Sequence, residues 1–352
     1  MPLRKPRNYA LDLLRIVSIA GVVAIHAFGQ LAGNEQARGS GGWLAAAVID
    51  IGFIWVVPVF VMISGALTLT PGAHLSGPAG FYRRRAVRLL PALVVWHLVY
   101  IAAVQVLVPG RGLAGGQLLA EVFNTRLVPH LYFLWLILGL YLVAPPLARF
   151  LHSGGLRRAG LATAAVQLLL LLVFAGQAWS IASGGDWRFA WNALTQWIPY
   201  LGYFMAGWVL TQVRLPDRAA AAAGAAAVVL SVFNIWHWIN RDQLALLNIV
   251  TPSSYIGLGV AAAAAAIFAW AFHRLRGWQP GPRLGRGLAA LSNASFGVFL
   301  CHYLILLWLT VAVFPAQTPT FGLVALKFVL ATAGSFAVSL AAARIRWVRA
   351  VF

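Results

Sequence analysis

Ala10-Leu11-Asp12-Leu13-Leu14-Arg15-Ile16-Val17-Ser18-Ile19-Ala20-Gly21-Val22-Val23-Ala24-Ile25-His26-Ala27-Phe28-Gly29 is the stretch that decides the fold. A helix of this length rises about 30 Å, the thickness of a bilayer's hydrocarbon core. Its few polar residues are ordered. Arg15 and His26 are eleven positions apart, a spacing that returns to within about 20° of one helical face and spans about 16 Å along the axis. Asp12 stands three residues before Arg15, within ion-pairing reach. The segment therefore reads as a membrane span with a polar stripe: an acid and a cation near one end, an imidazole toward the other. Charges at its start, with polarity continuing to His26, argue against a cleaved signal peptide.

The rest of the chain follows the same pattern. Of 352 residues, 61% are hydrophobic and 9% charged, where a soluble domain carries about a quarter charged residues. That balance excludes a disordered chain, a disulfide scaffold and a typical soluble enzyme. A single cysteine, Cys301, excludes an intrachain disulfide and a thiolate metal cluster. Apolar runs predict about ten transmembrane helices near 10–29, 43–69, 89–108, 131–151, 159–181, 196–212, 219–239, 252–272, 291–314 and 321–342. The expected fold is an all-α polytopic bundle, one transmembrane domain over residues 1–352, with no repeat of the transporter kind.

Charge then sets the orientation. The chain carries 26 Lys and Arg against 7 acids, a net +19. With the N-terminus inside, 19 of the 26 basic residues fall on the cytoplasmic side, from Arg4, Lys5 and Arg7 to Arg344, Arg346 and Arg349. The opposite loops hold only Arg38, Arg111, Arg126, Arg188 and Arg241, and Arg15 and Lys327 lie within helices. This asymmetry predicts both termini in the cytoplasm and accounts for the excess without nucleic acid as a partner.

Ionisable groups at membrane depth are expensive, so each is either functional or paired. His26 reads as a reactive group or as a histidine bonded to a neighbouring helix. Arg15 is either functional or snorkelling to the inner headgroups. The second span carries Asp50 near its outer end, Pro58 as an expected kink, and Ser64-Gly65, a pair that also suits close helix packing. Arg83, Arg84, Arg85 and Arg88 are denser than orientation requires. They form either an anionic-lipid anchor or a phosphate clamp. Ser295 and His302, seven apart, share a face and could make an interhelical contact. No metal site is expected, since adjacent Cys301 and His302 point about 100° apart. Phosphate-loop, H-E-x-x-H and G-x-S-x-G motifs are absent.

Six blocks in order then carry a resemblance. They are Leu11-Asp12-Leu13-Leu14-Arg15 through His26; Val57 to Gly65; Arg85-Ala86-Val87-Arg88 with Pro91 and Trp96; His130 to Leu134 through Tyr141 and Pro145; Tyr200 to Phe204 with Gly207; and Ser292 through Gly297 to His302. Together they resemble the acyltransferase-3 family of integral-membrane acyltransferases, in the branch of single-domain surface-polysaccharide O-acyltransferases. His97 and Tyr132 depart from the family's pattern, and no esterase-like domain of the kind fused to some relatives is expected.

The resemblance implies a multi-pass protein of the bacterial cytoplasmic membrane. It would move an acyl group, acetyl by default, from cytoplasmic acyl-CoA to a hydroxyl of a glycan or glycolipid acceptor at the outer side. Acyl-CoA would be a substrate, with no permanently bound cofactor. His26 would be the general base, Arg15 would receive the donor and Asp12 would orient Arg15. Arg85 and Arg88, with Arg84 and Ser64, would hold the CoA. Ser295, His302, Asp50 and Tyr141 are further residues expected to line the path. A glycan or amphiphile exporter and a non-catalytic membrane partner are the competing expectations.

Overall fold

The computed structural model describes residues 7–108, 115–315 and 317–352, so Arg4, Lys5 and Arg111 lie outside the described residues. Among these residues all regular structure is helical. The helices are α1 (Tyr9–Ala32), α2 (Gly41–Gly52), α3 (Val56–Thr68), α4 (Gly77–Leu107), α5 (Gly115–Phe123), α6 (Tyr132–His152) and α7 (Gly155–Ala182). They continue as α8 (Leu201–Gln212), α9 (Asp217–Ile239), α10 (Ala245–Val250), α11 (Leu258–Arg274), α12 (Pro282–Trp308) and α13 (Phe321–Ala342). Asn8 starts α1 by accepting hydrogen bonds from the amides of Ala10 and Leu11 at 3.1 and 3.3 Å, the usual way to satisfy donors that have no helical acceptor.

Among the described residues, eight helical segments are long and apolar enough to cross a membrane, counting α2 with α3 and α12 with the π-turn Leu309–Val313 as continuous units. The expected spans 196–212 and 252–272 fold as the shorter α8 and α11. Their leading residues form a 3-10 turn at Ile198–Tyr200 and an irregular segment up to Gly257. What remains rises about 18 Å in α8 and about 26 Å in α11. Pro199 lies within that 3-10 turn and Pro252 at the start of the irregular segment, and a proline disfavours helical backbone at the residue ahead of it.

The expected second span is also divided, though not at Pro58. Helix α2 ends at Gly52, and α3 restarts at Val56 after a short turn. Pro58 sits in the first turn of α3, where an amide would have had no helical acceptor, so it costs no hydrogen bond. Helix α4 begins about three turns before the expected boundary. The arginine cluster is consequently helical; Arg84 and Arg88, at i and i+4, project from one side of it, and Arg85 lies about 100° from Arg84.

Helix α1 is central and packs against α2, α3, α12 and α13. Helices α7 and α9 are peripheral, with Leu161, Leu168, Leu172, Val228, Val229 and Val232 exposed where lipid would cover them. Helices α3 and α8 approach closely. A Cβ at Gly65 would stand 1.8 Å from the Phe204 carbonyl oxygen, and one at Gly207 would stand 1.8 Å from that of Met62. Only glycine permits that approach. The tail after α13 folds back, so that Trp96 donates to the Val351 carbonyl at 2.9 Å and its ring lies 5.1 Å from that of Phe352.

Candidate active site

The acidic and basic start of the α1 stripe is wired differently from its spacing. Asp12, 6% exposed, is gripped by Arg7 rather than Arg15, with Nε at 2.5 Å and Nη2 at 2.9 Å from its two oxygens. Arg7 lies ahead of the helix, and its planar fork reaches both oxygens at once. Arg15 turns toward α12 and donates to Ser292 Oγ at 3.3 Å, while Ser292 Oγ donates to Asp12 Oδ1 at 2.6 Å. Asp12 thus reaches Arg15 through one buried hydroxyl. Arg7 also touches the Asn293 side chain at 3.1 Å, closing the start of α1 onto α12.

The arginines of α4 separate according to the contacts they make. The Arg85 guanidinium lies over Phe81 at 5.3 Å and Tyr141 at 5.1 Å. Tyr141 accepts a hydrogen bond from Ser64 at 3.1 Å, so four of the expected residues or their neighbours form one wall. Arg88 lies over Phe296 of α12 at 5.6 Å. Arg84 points elsewhere, donating to Ser76 Oγ at 2.5 Å and to the Ala73 carbonyl at 3.0 Å. His74, between α3 and α4, stacks on Phe81 at 4.7 Å and holds the Thr68 carbonyl at 2.8 Å. Burial pushes its imidazole below the ordinary histidine range, more than the Thr68 bond restores. Cations resting on aromatic faces keep outward donors for an anion.

Farther along α1, three imidazoles converge. The His26 ring is 5.3 Å from His302 of α12 and 6.1 Å from His130, which precedes α6; His130 and His302 are 4.9 Å apart. Tyr303 stacks edge-on at 5.4 Å from His26, and Tyr100 of α4 lies 5.0 Å from His130. His130 and His302 are buried at 2% and 0% exposure. His26 keeps part of its surface open and has no hydrogen-bond partner among the described residues. His302 Nδ1 donates to the carbonyls of Val298 and Phe299 at 3.0 and 2.8 Å. In the neutral ring that bond leaves Nε2 as a bare lone pair, and Nε2 is buried without a partner among the described residues.

The expected Ser295–His302 contact is not formed, because Ser295 donates to the Leu291 carbonyl of its own helix at 3.1 Å. Asp50 lies on the far side of His26, against Gly29. Cys301 faces the Ser335 carbonyl on α13 at 3.8 Å. Among the described residues no three His, Cys, Asp or Glu side chains are arranged to hold a metal ion. Sequence reading missed Arg7, Ser292, His130, Tyr100 and Tyr303 as site neighbours. His130 was visible as a histidine at the edge of a span, but only tertiary contact reveals its company.

One face of α1 therefore joins an arginine-lined end to an open imidazole backed by two buried ones, an arrangement suited to holding an anionic donor and moving a proton. No curated protein and no solved structure matches the chain. The family model described as an acyltransferase domain, of the acyltransferase-3 type, matches residues 8–344. That match covers nearly the whole chain, every helix described above, each imidazole of the site, and Arg15, Arg85 and Arg88: this multi-pass membrane protein belongs to the acyltransferase-3 family.

Proposed function

We propose that the protein transfers an acyl group, acetyl by default, from cytoplasmic acyl-CoA to a hydroxyl of a glycan or related acceptor at the outer side of a bacterial cytoplasmic membrane. The observation that carries the reading is the partly open His26 on the same α1 face as Arg15, above Arg85 and Arg88. The arginines take the CoA phosphates, for which guanidinium forks are suited. The slender pantetheine arm then carries the thioester along the stripe, over about 16 Å between Arg15 and His26.

His26 takes the acceptor hydroxyl's proton as that oxygen attacks the thioester carbonyl. Collapse of the tetrahedral adduct breaks the C–S bond, and the CoA thiolate recovers the proton from the imidazolium. His130, His302 and Tyr303 hold the His26 ring in place and keep it dry. The charge asymmetry between the two sets of loops supports a polyanionic donor on the cytoplasmic side.

In nanodiscs, His26→Ala is expected to abolish transfer of labelled acetyl from acetyl-CoA while leaving CoA binding intact. Full transfer by that variant would remove His26 as base. Replacing Arg85 and Arg88 together by alanine is expected to weaken CoA binding, and unchanged binding would refute the clamp.

A further inference from the structure

Interruptions of helical backbone collect in the half of the bundle away from the arginines. They are the turn between α2 and α3, the connector with His130, the 3-10 turn Ile198–Tyr200, and the segment ahead of α11. Within hydrocarbon, non-helical backbone is tolerated only where protein buries it or where it lines a polar cavity. These segments bring phenols together. Tyr132 and Tyr200 are electrostatic neighbours, and Tyr203 donates to the Tyr255 carbonyl at 2.7 Å. Tyr200 and Tyr203 are buried, whereas Tyr132 and Tyr255 keep part of their surface open.

Asp50 belongs to this cluster, within electrostatic reach of Tyr255. Both its oxygens lie 3.7 Å from where a Cβ on Gly29 would stand. Gly29 is three residues beyond His26 on α1, about 4.5 Å farther along the axis. Asp50 is partly open and has no hydrogen bond or ion pair among the described residues. Nearby arginines are already committed: Arg38 to Glu35 at 3.4 Å and Asp242 at 2.5 Å, and Arg241 to Glu35 at 3.5 Å. A carboxylate at this depth needs donors, and the described residues supply none. A ligand with neighbouring hydroxyls supplies two, and an anionic ligand would be repelled.

We infer that Asp50, with the open faces of Tyr132 and Tyr255, forms the acceptor subsite, and that the acceptor is a neutral polyhydroxylated compound of the sugar class. Its hydroxyls donate to Asp50 while the hydroxyl to be acylated turns toward His26. The subsite rests on the acyl-transfer reading above.

The test uses the full chain in nanodiscs. Acetyl-CoA binding and its slow discharge to water are measured first. Transfer is then measured to neutral methyl hexosides and to the corresponding methyl hexuronides. The wild-type protein is expected to prefer the hexosides. Asp50→Ala is expected to raise the hexoside KM about 10- to 100-fold, the loss of one hydrogen bond to a charged group, and to erase the preference over hexuronides. Asp50→Asn, which retains one acceptor oxygen, is expected to recover part of the loss. Unchanged acetyl-CoA binding and discharge in both variants would show that they fold and that the donor side is intact. An unaltered KM and preference in Asp50→Ala would overturn the subsite, as would wild-type discharge of acetyl-CoA with no transfer to any hexoside. Failure of the wild-type protein to bind acetyl-CoA would instead remove the acyl-transfer reading itself, and the first titration separates that result from the others.

Discussion

Ser292→Ala is the sharpest probe of how the donor end of the site is held. Ser292 is 1% exposed and bridges two charged groups, donating to Asp12 at 2.6 Å and accepting from Arg15 at 3.3 Å. Removing one oxygen leaves almost no void, so the effect is electrostatic rather than one of packing. The bond to the carboxylate is charge-assisted and contributes about 1.5–3 kcal/mol, and the longer Arg15 contact adds about 0.5–1 kcal/mol. Asp12 keeps both bonds from Arg7, so it stays neutralised and the loss totals about 2–4 kcal/mol. Arg15, released from α12, should bind donor less well, raising the acetyl-CoA KM about 10-fold, equivalent to about 1.4 kcal/mol. Cys301, the single cysteine and 3% exposed, offers a reporter: a thiol-reactive dye labels it only on unfolding. The expected result is a lower labelling midpoint in nanodiscs together with the raised KM, with Ser292→Thr restoring both. A Ser292→Ala protein that melts with the wild type and keeps its KM would refute the bridge.

The other expectations concern neighbouring contacts. His302→Phe should retain acetyl-CoA binding yet lower kcat about 10- to 100-fold if its bare Nε2 assists proton movement around His26; equal turnover would leave His302 a packing residue. Gly207→Ala forces a methyl to within 1.8 Å of the Met62 carbonyl. It should lower the Cys301 labelling midpoint through about 1–3 kcal/mol of overpacking, and an unchanged midpoint would contradict the close approach of α3 and α8. Arg84→Ala should bind acetyl-CoA like the wild type, because its side chain is turned to Ser76 and Ala73. Weakened binding in that variant, matching the joint replacement of Arg85 and Arg88, would show that its contacts with Ser76 and Ala73 do not set Arg84 apart from them.

Hydropathy alone predicted a helical membrane bundle, and eight spans bear it out. It counted the spans around α8 and α11 as full crossings because apolar residues such as Trp197 and Ile198 read alike in a helix or in a 3-10 turn. Pro199 and Pro252 stand in those irregular segments, and the second span breaks after Gly52, ahead of the kink expected at Pro58.

What the sequence by itself determined is local and periodic: that α1 spans, that Arg15 and His26 share its face, and that basic residues gather at one end. Those follow from 3.6 residues per turn and from the cost of charge in hydrocarbon. Pairing between helices follows no such period. Asp12 lies nearer in sequence to Arg15 than to Arg7, yet it bonds Arg7, and Ser292 joins it across a gap of 280 positions. Likewise His130 and His302 become neighbours of His26 only when α6 and α12 close around α1. Which polar groups meet depends on helix order and rotation, set by packing such as the glycine contact of α3 with α8, and that was decided by the tertiary structure alone.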